Sequence, residues 1–98
     1  MELLEDILQC ANLVKQGDYE RYRVIMTLDP KLRSDLFVLM AANIEISRAP
    51  WASRESLISE IRLRWWLEAI EEIVSGKAAR RHFVTSPLGD ILSRSQSK

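Results

Sequence analysis

Apolar positions along the chain recur with helical spacing, in stretches separated by short polar breaks. Leu3, Leu4, Ile7, Leu8, Ala11 and Val14 repeat at three and four residues, predicting a first helix over Glu2–Gln16 that Gly17 stops. Asp18 is placed to cap a second, shorter helix to about Met26, with Tyr19, Tyr22 and Met26 on one face. Asp29-Pro30 is a strong start signal: a capping carboxylate followed by a proline at the first helical position. The third helix is expected from Pro30 to about Arg48, with Ala49-Pro50 as its stop. The fourth stretch, Ser53 to Gly76, reads as one long helix of roughly 33 Å. Ser53 is its expected N-cap, Glu55 a first-turn charge that suits the helix dipole, and Gly76 its left-handed C-terminal residue. Ser86-Pro87 opens a last short helix bearing Leu88, Ile91 and Leu92, and residues 93–98, SRSQSK, read as a polar tail with nothing to pack. No strand alternation or hairpin signal is visible, so the fold class is all-α, with about five helices.

The third and fourth helices are apolar over most of their circumference. On the fourth, Ile58, Ile61, Trp65, Trp66, Ala69, Ile70 and Ile73 cover one side, and Leu63, Leu67 and Val74 extend it to an arc of roughly 240°. Glu60, Arg64, Glu68 and Glu71 fill the remaining strip, with Glu60–Arg64 and Arg64–Glu68 at pairing distance along the helix. Arg62 falls inside the apolar arc and needs a partner or a route to water. On the third helix, Leu32, Leu36, Met40 and Ile44 line one side while Phe37, Val38, Leu39, Ala41, Ala42 and Ile46 cover most of the rest. Asn43 sits within this surface with Ser47 nearby. Two anomalies on two greasy helices suggest a buried polar cluster: helices three and four face to face, with Arg62 bonded to Asn43, Ser47 or Glu45. The alternative is that Arg62 snorkels to the surface. A domain of about 100 residues buries well under 70% of its extended-chain surface, too little to enclose two such helices. The chain is therefore expected to belong to a larger helical body, as the front of a longer domain or one protomer of an oligomer.

The remaining composition mostly narrows the options. Fourteen basic and fourteen acidic residues balance, which gives no electrostatic case for nucleic acid or an anionic membrane. The lone Cys10 excludes an internal disulfide and reads as a small core residue. Lys77, Arg80 and Arg81 form a basic cluster past a helix end, the usual solvated complement to the dipole and more rarely a phosphate site. His82 has no second ligand at metal spacing. Glu2, Glu5 and Asp6 are acidic where a signal peptide is basic, and the longest apolar run, Leu36 to Ala42, is short for a membrane span, so the expected location is the cytoplasm.

The order of three segments carries a resemblance. FVLMAANIEISR, from Phe37 to Arg48, precedes EIRLRWWLEAI, from Glu60 to Ile70, and then come Gly76 and His82-Phe83-Val84. This order resembles the N-terminal part of the squalene/phytoene synthase family, where an LYAFN-E-AR helix precedes an IRLQWW-DAL helix, a glycine and HPV. The similarity runs from about Cys10 to Leu92. It implies a partial isoprenoid-synthase-like domain over residues 1–92, with 93–98 as the tail. Enzymes of that family condense two prenyl diphosphates head to head, holding Mg²⁺–diphosphate between two aspartate-rich motifs. The first motif's acids would fall near Ser47, Arg48 and Trp51, none of which is acidic, and Glu45 is the lone carboxylate close by. The second motif would lie beyond residue 98. The chain thus resembles the branch with N-E-AR in place of the first motif, which includes proteins similar to the mitochondrial complex I assembly factors.

No catalytic, cofactor-binding or metal-ligating residue, and no Mg²⁺, is therefore assigned to this chain. The favoured expectation is a truncated squalene/phytoene synthase-family protein without catalytic activity, acting, if at all, as a binding or assembly factor. Its exposed apolar helix faces would serve self-association or a protein partner. One alternative is a fragment of a prenyl transferase, in which Trp65, Trp66 and Ile70 wall an apolar prenyl pocket; the commoner role for such residues is plain helix-packing core. A second alternative is a small helical interaction module.

Overall fold

The structure is a computed structural model that describes residues 2–51 and 54–96, the side chains of 95 and 96 excepted. Five helices follow one another: α1 (Glu2–Gly17), α2 (Tyr19–Met26), α3 (Pro30–Arg48), α4 (Ser56–Val74) and α5 (Thr85–Gln96), with a 3-10 turn at Ala49–Trp51. No strand is present among the described residues.

The caps explain most of the boundaries. Asp18 accepts from the Arg21 amide and Asp29 from the Lys31 amide, with Pro30 at the start of α3. The Ser53 cap expected for α4 lies outside the described residues; the helix starts at Ser56, with Glu55 in the N-cap position. Its other end closes as anticipated. Gly76 adopts φ of +92°, the Gly76 amide donates to the Ile73 carbonyl at 3.1 Å, and the Lys77 amide donates to Glu72 at 2.9 Å. These two bonds satisfy carbonyls that the helix end would leave orphaned. The segment expected to be an unpacked tail carries the last turn of α5, and Arg94 reaches Asp35 of α3 at 3.0 Å and Asp90 at 3.2 Å.

The core lies where α1, α3 and α5 meet. Cys10 and Val14 of α1 join Phe37, Val38, Ala41 and Ala42 of α3 and Val84 and Leu88 near the start of α5. Ala41 and Ala42 add little side-chain bulk to this core. A close approach sits under the 77–80 loop. A Cβ on Gly89 would stand 2.6 Å from the Ala79 Cβ, so only glycine lets the loop cross α5 there.

α4 does not pack face to face with α3, as the sequence suggests it should. Its principal contacts are the 3-10 turn and α5, and α3 instead meets α1, α2, α5 and the 3-10 turn. Ser59, Trp66, Ala69 and Ile73 form its buried line. Much of its apolar arc stays open: Leu57, Ile58, Ile61, Leu67 and Val74 are exposed, and Trp51 just before it is 85% exposed. Trp66 is buried and Trp65 half-buried. The total accessible surface is 6881 Å². A free-standing protein of 11.3 kDa exposes about 5,700 Å².

Candidate functional site

A cleft of about 300 Å³ opens where the end of α3, the 3-10 turn, α4 and the loop before α5 converge. Glu45, Arg48 and Ala49 line it from one side, Arg62, Trp65 and Trp66 from α4, and His82 from the loop.

Its floor is aromatic. The Trp65 and Trp66 rings meet edge to face at 5.1 Å, and the His82 ring lies 5.5 Å from the first and 5.4 Å from the second. Phe83 stacks on His82 at 4.7 Å. The Val84 amide donates to His82 Nδ1 at 3.0 Å, which leaves Nε2 as the nitrogen carrying the proton in the neutral ring. Burial pushes the His82 pKa below its ordinary value, with Glu45 and Asp6 opposing the shift.

The loop that delivers His82 is held by two arginine clamps. Arg80 makes a bidentate pair with Glu72, at 2.9 and 2.7 Å, approaches Glu68 at 3.7 Å and lies over the Trp65 ring at 5.5 Å. The Glu72 carboxyl is held below its usual range, chiefly by the Arg80 hydrogen bond. Arg81 makes a second bidentate pair with the buried Asp6 of α1, at 2.7 and 3.2 Å, and donates to Ser86 Oγ at 3.0 Å. Thr85 Oγ1 donates to the Arg80 carbonyl. The basic cluster expected to be a solvated helix end is thus, in Arg80 and Arg81, a pair of structural ties. Each already makes a bidentate pair with a carboxylate, which disfavours the rarer phosphate-site alternative for these two arginines.

Cys10 belongs to the same framework. Its Sγ donates to the Phe83 carbonyl at 3.2 Å, and its pKa is pushed up to about 12 by burial first, then by the Asp6 and Glu45 charges. It is a protonated core thiol.

The expected buried polar cluster does not form. Asn43, Ser47 and Arg62 are exposed and Glu45 is half-buried, and no hydrogen bond joins Arg62 to any of them among the described residues. Asn43 lies on the side of α3 opposite Phe37 and Ala41, with the exposed Leu32 and Leu39. On a helix apolar nearly all round, periodicity alone does not select the packed side. Arg62 is near the buried line of α4, but it lines the open cleft beside Trp65 and Trp66 and is exposed. Water therefore reaches the guanidinium. Glu45 and Arg62 do share the cleft, without contact.

The proposed apolar wall divides in the same way. Trp65 and Trp66 line the cleft and Ile70 does not. The rest of the lining is largely charged: Glu45 and Arg48 from the α3 side, and Arg62 beside the tryptophans on α4. The Glu60–Arg64 and Arg64–Glu68 pairs are not made among the described residues; Glu68 approaches Arg80 instead.

This donor set does not fit a magnesium–diphosphate. Mg²⁺ requires several oxygen ligands in octahedral array, usually with one or more carboxylates and bound phosphate. The cleft presents one carboxylate beside two guanidinium groups, and no group of three or more His, Cys, Asp or Glu in the described residues is arranged to hold a metal ion.

Comparison with known proteins bears on the same region. The family profile described as squalene/phytoene synthase matches residues 14–98. The chain is 31% identical over 80 residues to the Drosophila melanogaster protein named NADH dehydrogenase (ubiquinone) complex I, assembly factor 6 homolog, a match spanning 81% of this chain and 24% of that one. It is 28% identical over 88 residues to the Homo sapiens NADH dehydrogenase (ubiquinone) complex I, assembly factor 6, spanning 78% of this chain and 26% of that protein. The chain thus spans about a quarter of the length of these relatives. No solved structure matches.

Proposed function

The chain belongs to the squalene/phytoene synthase family, and from that premise we propose that it works as a non-catalytic binding or assembly factor rather than as a prenyl transferase. The observation that carries this reading is the make-up of the cleft. Where the resemblance places metal-binding acids, Arg48 lines the site, and Arg62 faces it from α4. Two guanidinium groups repel a divalent cation, and Glu45 alone is too few ligands. The assembly-factor names of the two relatives support the same reading. Protein partners are the proposed class of ligand, met through the open apolar faces of the helices. No helix among the described residues is long and apolar enough to cross a membrane. The cytoplasm is the proposed location, to be checked by fractionating cells that make a tagged chain.

The enzymatic side is tested by incubating the purified chain with farnesyl or geranylgeranyl diphosphate and Mg²⁺. The expected result is no diphosphate release above that of a Glu45→Gln variant. Release that depends on Glu45 would sink the reading. The assembly side is tested in cells that naturally make the chain. Its deletion is expected to reduce the assembled NADH–ubiquinone complex on native gels, and re-expression of the chain to restore it.

A further inference from the structure

The outer flank of α4 carries a regular apolar seam. Leu63, Leu67, Ile70 and Val74 follow one another at intervals of four, three and four residues, the spacing at which two helices interlock side by side. Leu67 is 56% and Val74 59% exposed, and Leu63 and Ile70 are half-buried. One border of the seam faces inward, because Ser59, Trp66 and Ile73 there are buried. The other border faces water and carries Arg64 and Glu71, one turn-pair apart. Among the described residues neither has an ion-pair partner.

We propose that this flank is a self-recognition surface on which a second copy of the chain docks, α4 against α4, antiparallel. Turning one helix end for end sets Leu63 opposite Val74 of the other copy and Leu67 opposite Ile70. The same register sets Arg64 beside the other copy's Glu71, and by symmetry Glu71 beside its Arg64. Both charges that lack a partner within the chain find one across the two-fold axis, as an isologous contact requires. Glu60, farther along, is carried toward the end that bears Lys77. A parallel arrangement lacks this match: Arg64 and Glu71 would then face the inward border, where Ser59, Trp66 and Ile73 offer no charge. The surface in excess of a free-standing protein of this mass is about 1,200 Å². A standard interface takes about 800 Å² from each partner, so the chain has the area to spare. The surface is argued from α4 alone and stands or falls independently of the assembly role.

Sedimentation equilibrium on the 98-residue chain tests it. The native chain is expected to be a dimer at micromolar concentration. Leu67→Glu, at an exposed position, is expected to give a monomer whose helical circular dichroism is unchanged. Arg64→Glu and Glu71→Arg each replace two attractions by two repulsions and are expected to weaken the dimer about tenfold. Mixed in equal amounts, those two variants regain complementary pairs and are expected to form a heterodimer as tight as the native dimer. A native chain that stays monomeric to ~100 μM overturns the proposal. So does a dimer that Leu67→Glu leaves intact, or a pair of charge variants that mixing fails to rescue.

Discussion

The Cys10 thiol and the Phe83 carbonyl lie 73 residues apart in the chain and 3.2 Å apart in the fold. With its pKa pushed up to about 12, the thiol is protonated at any physiological pH, and a protonated, buried sulfur is a poor nucleophile. A thiol-specific reagent at about pH 8 is therefore expected to leave the native chain unlabelled and to label it once denaturant unfolds it. Rapid labelling in buffer would mean that α1 and the 81–84 loop separate readily. His82 shows the opposite shift. Its folded-state pKa lies below the ordinary 6.5, so protons bind the unfolded chain more readily. Its contribution is fully present above 6.5 and is lost as the pH falls through the depressed folded value. Tm is expected to drop on acidification from about pH 7 to 5, and His82→Gln to flatten that slope, as read by thermal melts. The sequence shows neither role. His82 stands out there only as part of a resemblance and as a histidine without a second ligand. Asp6, Cys10, Arg81 and Phe83 come together through a fold that brings the two ends of the chain side by side, and no local pattern encodes that.

Helix boundaries were largely legible because their causes are local. Asp18, Asp29-Pro30 and Gly76 act within a turn of themselves, and each does in the structure what its chemistry suggests. Helix neighbours were not legible. α3 and α4 are apolar on so many sides that the sequence does not choose between faces, and the face-to-face pairing inferred from Asn43 and Arg62 was the wrong choice. The small residues at the true contacts, Ala41 and Ala42 in the core and Gly89 under Ala79, carry little hydrophobic signal. The two sides of α4 can be separated by experiment. Ile73→Ala, in the buried line, is expected to cost about 2–5 kcal/mol in denaturant melts. Leu57→Ala, exposed in the first turn of α4, and Arg62→Ala, open to the cleft, are each expected to stay within about 0.5 kcal/mol. A large loss at Arg62 would return it to the interior, contrary to its exposure here. Gly89→Ala is expected to destabilise by about 1–3 kcal/mol, because the loop or α5 must shift to admit the methyl group.

At the scale of the whole molecule the sequence's suggestion of too many apolar faces is met in part. These residues do seal Trp66, Val38 and Val84, so a core exists without further chain. They leave Trp51, Leu57, Ile61, Leu67 and Val74 open, and the body is drawn out to 41 × 32 × 23 Å with a radius of gyration of 13.8 Å. A compact domain of this length would come to about 13 Å. An exposed apolar side chain forgoes roughly 1.5–3 kcal/mol of burial, and a domain's net stability is only about 5–15 kcal/mol. Covering even part of this surface would therefore be a large fraction of the total. Association that covers it binds the folded state alone and must raise stability by mass action. Raising the chain concentration about 100-fold is expected to lift Tm by several degrees, followed by calorimetry, while Leu67→Glu melts at one temperature throughout. A native Tm independent of concentration would instead mean that the five helices tolerate their open flank as free surface, with the α1–α3–α5 core supplying the stability by itself.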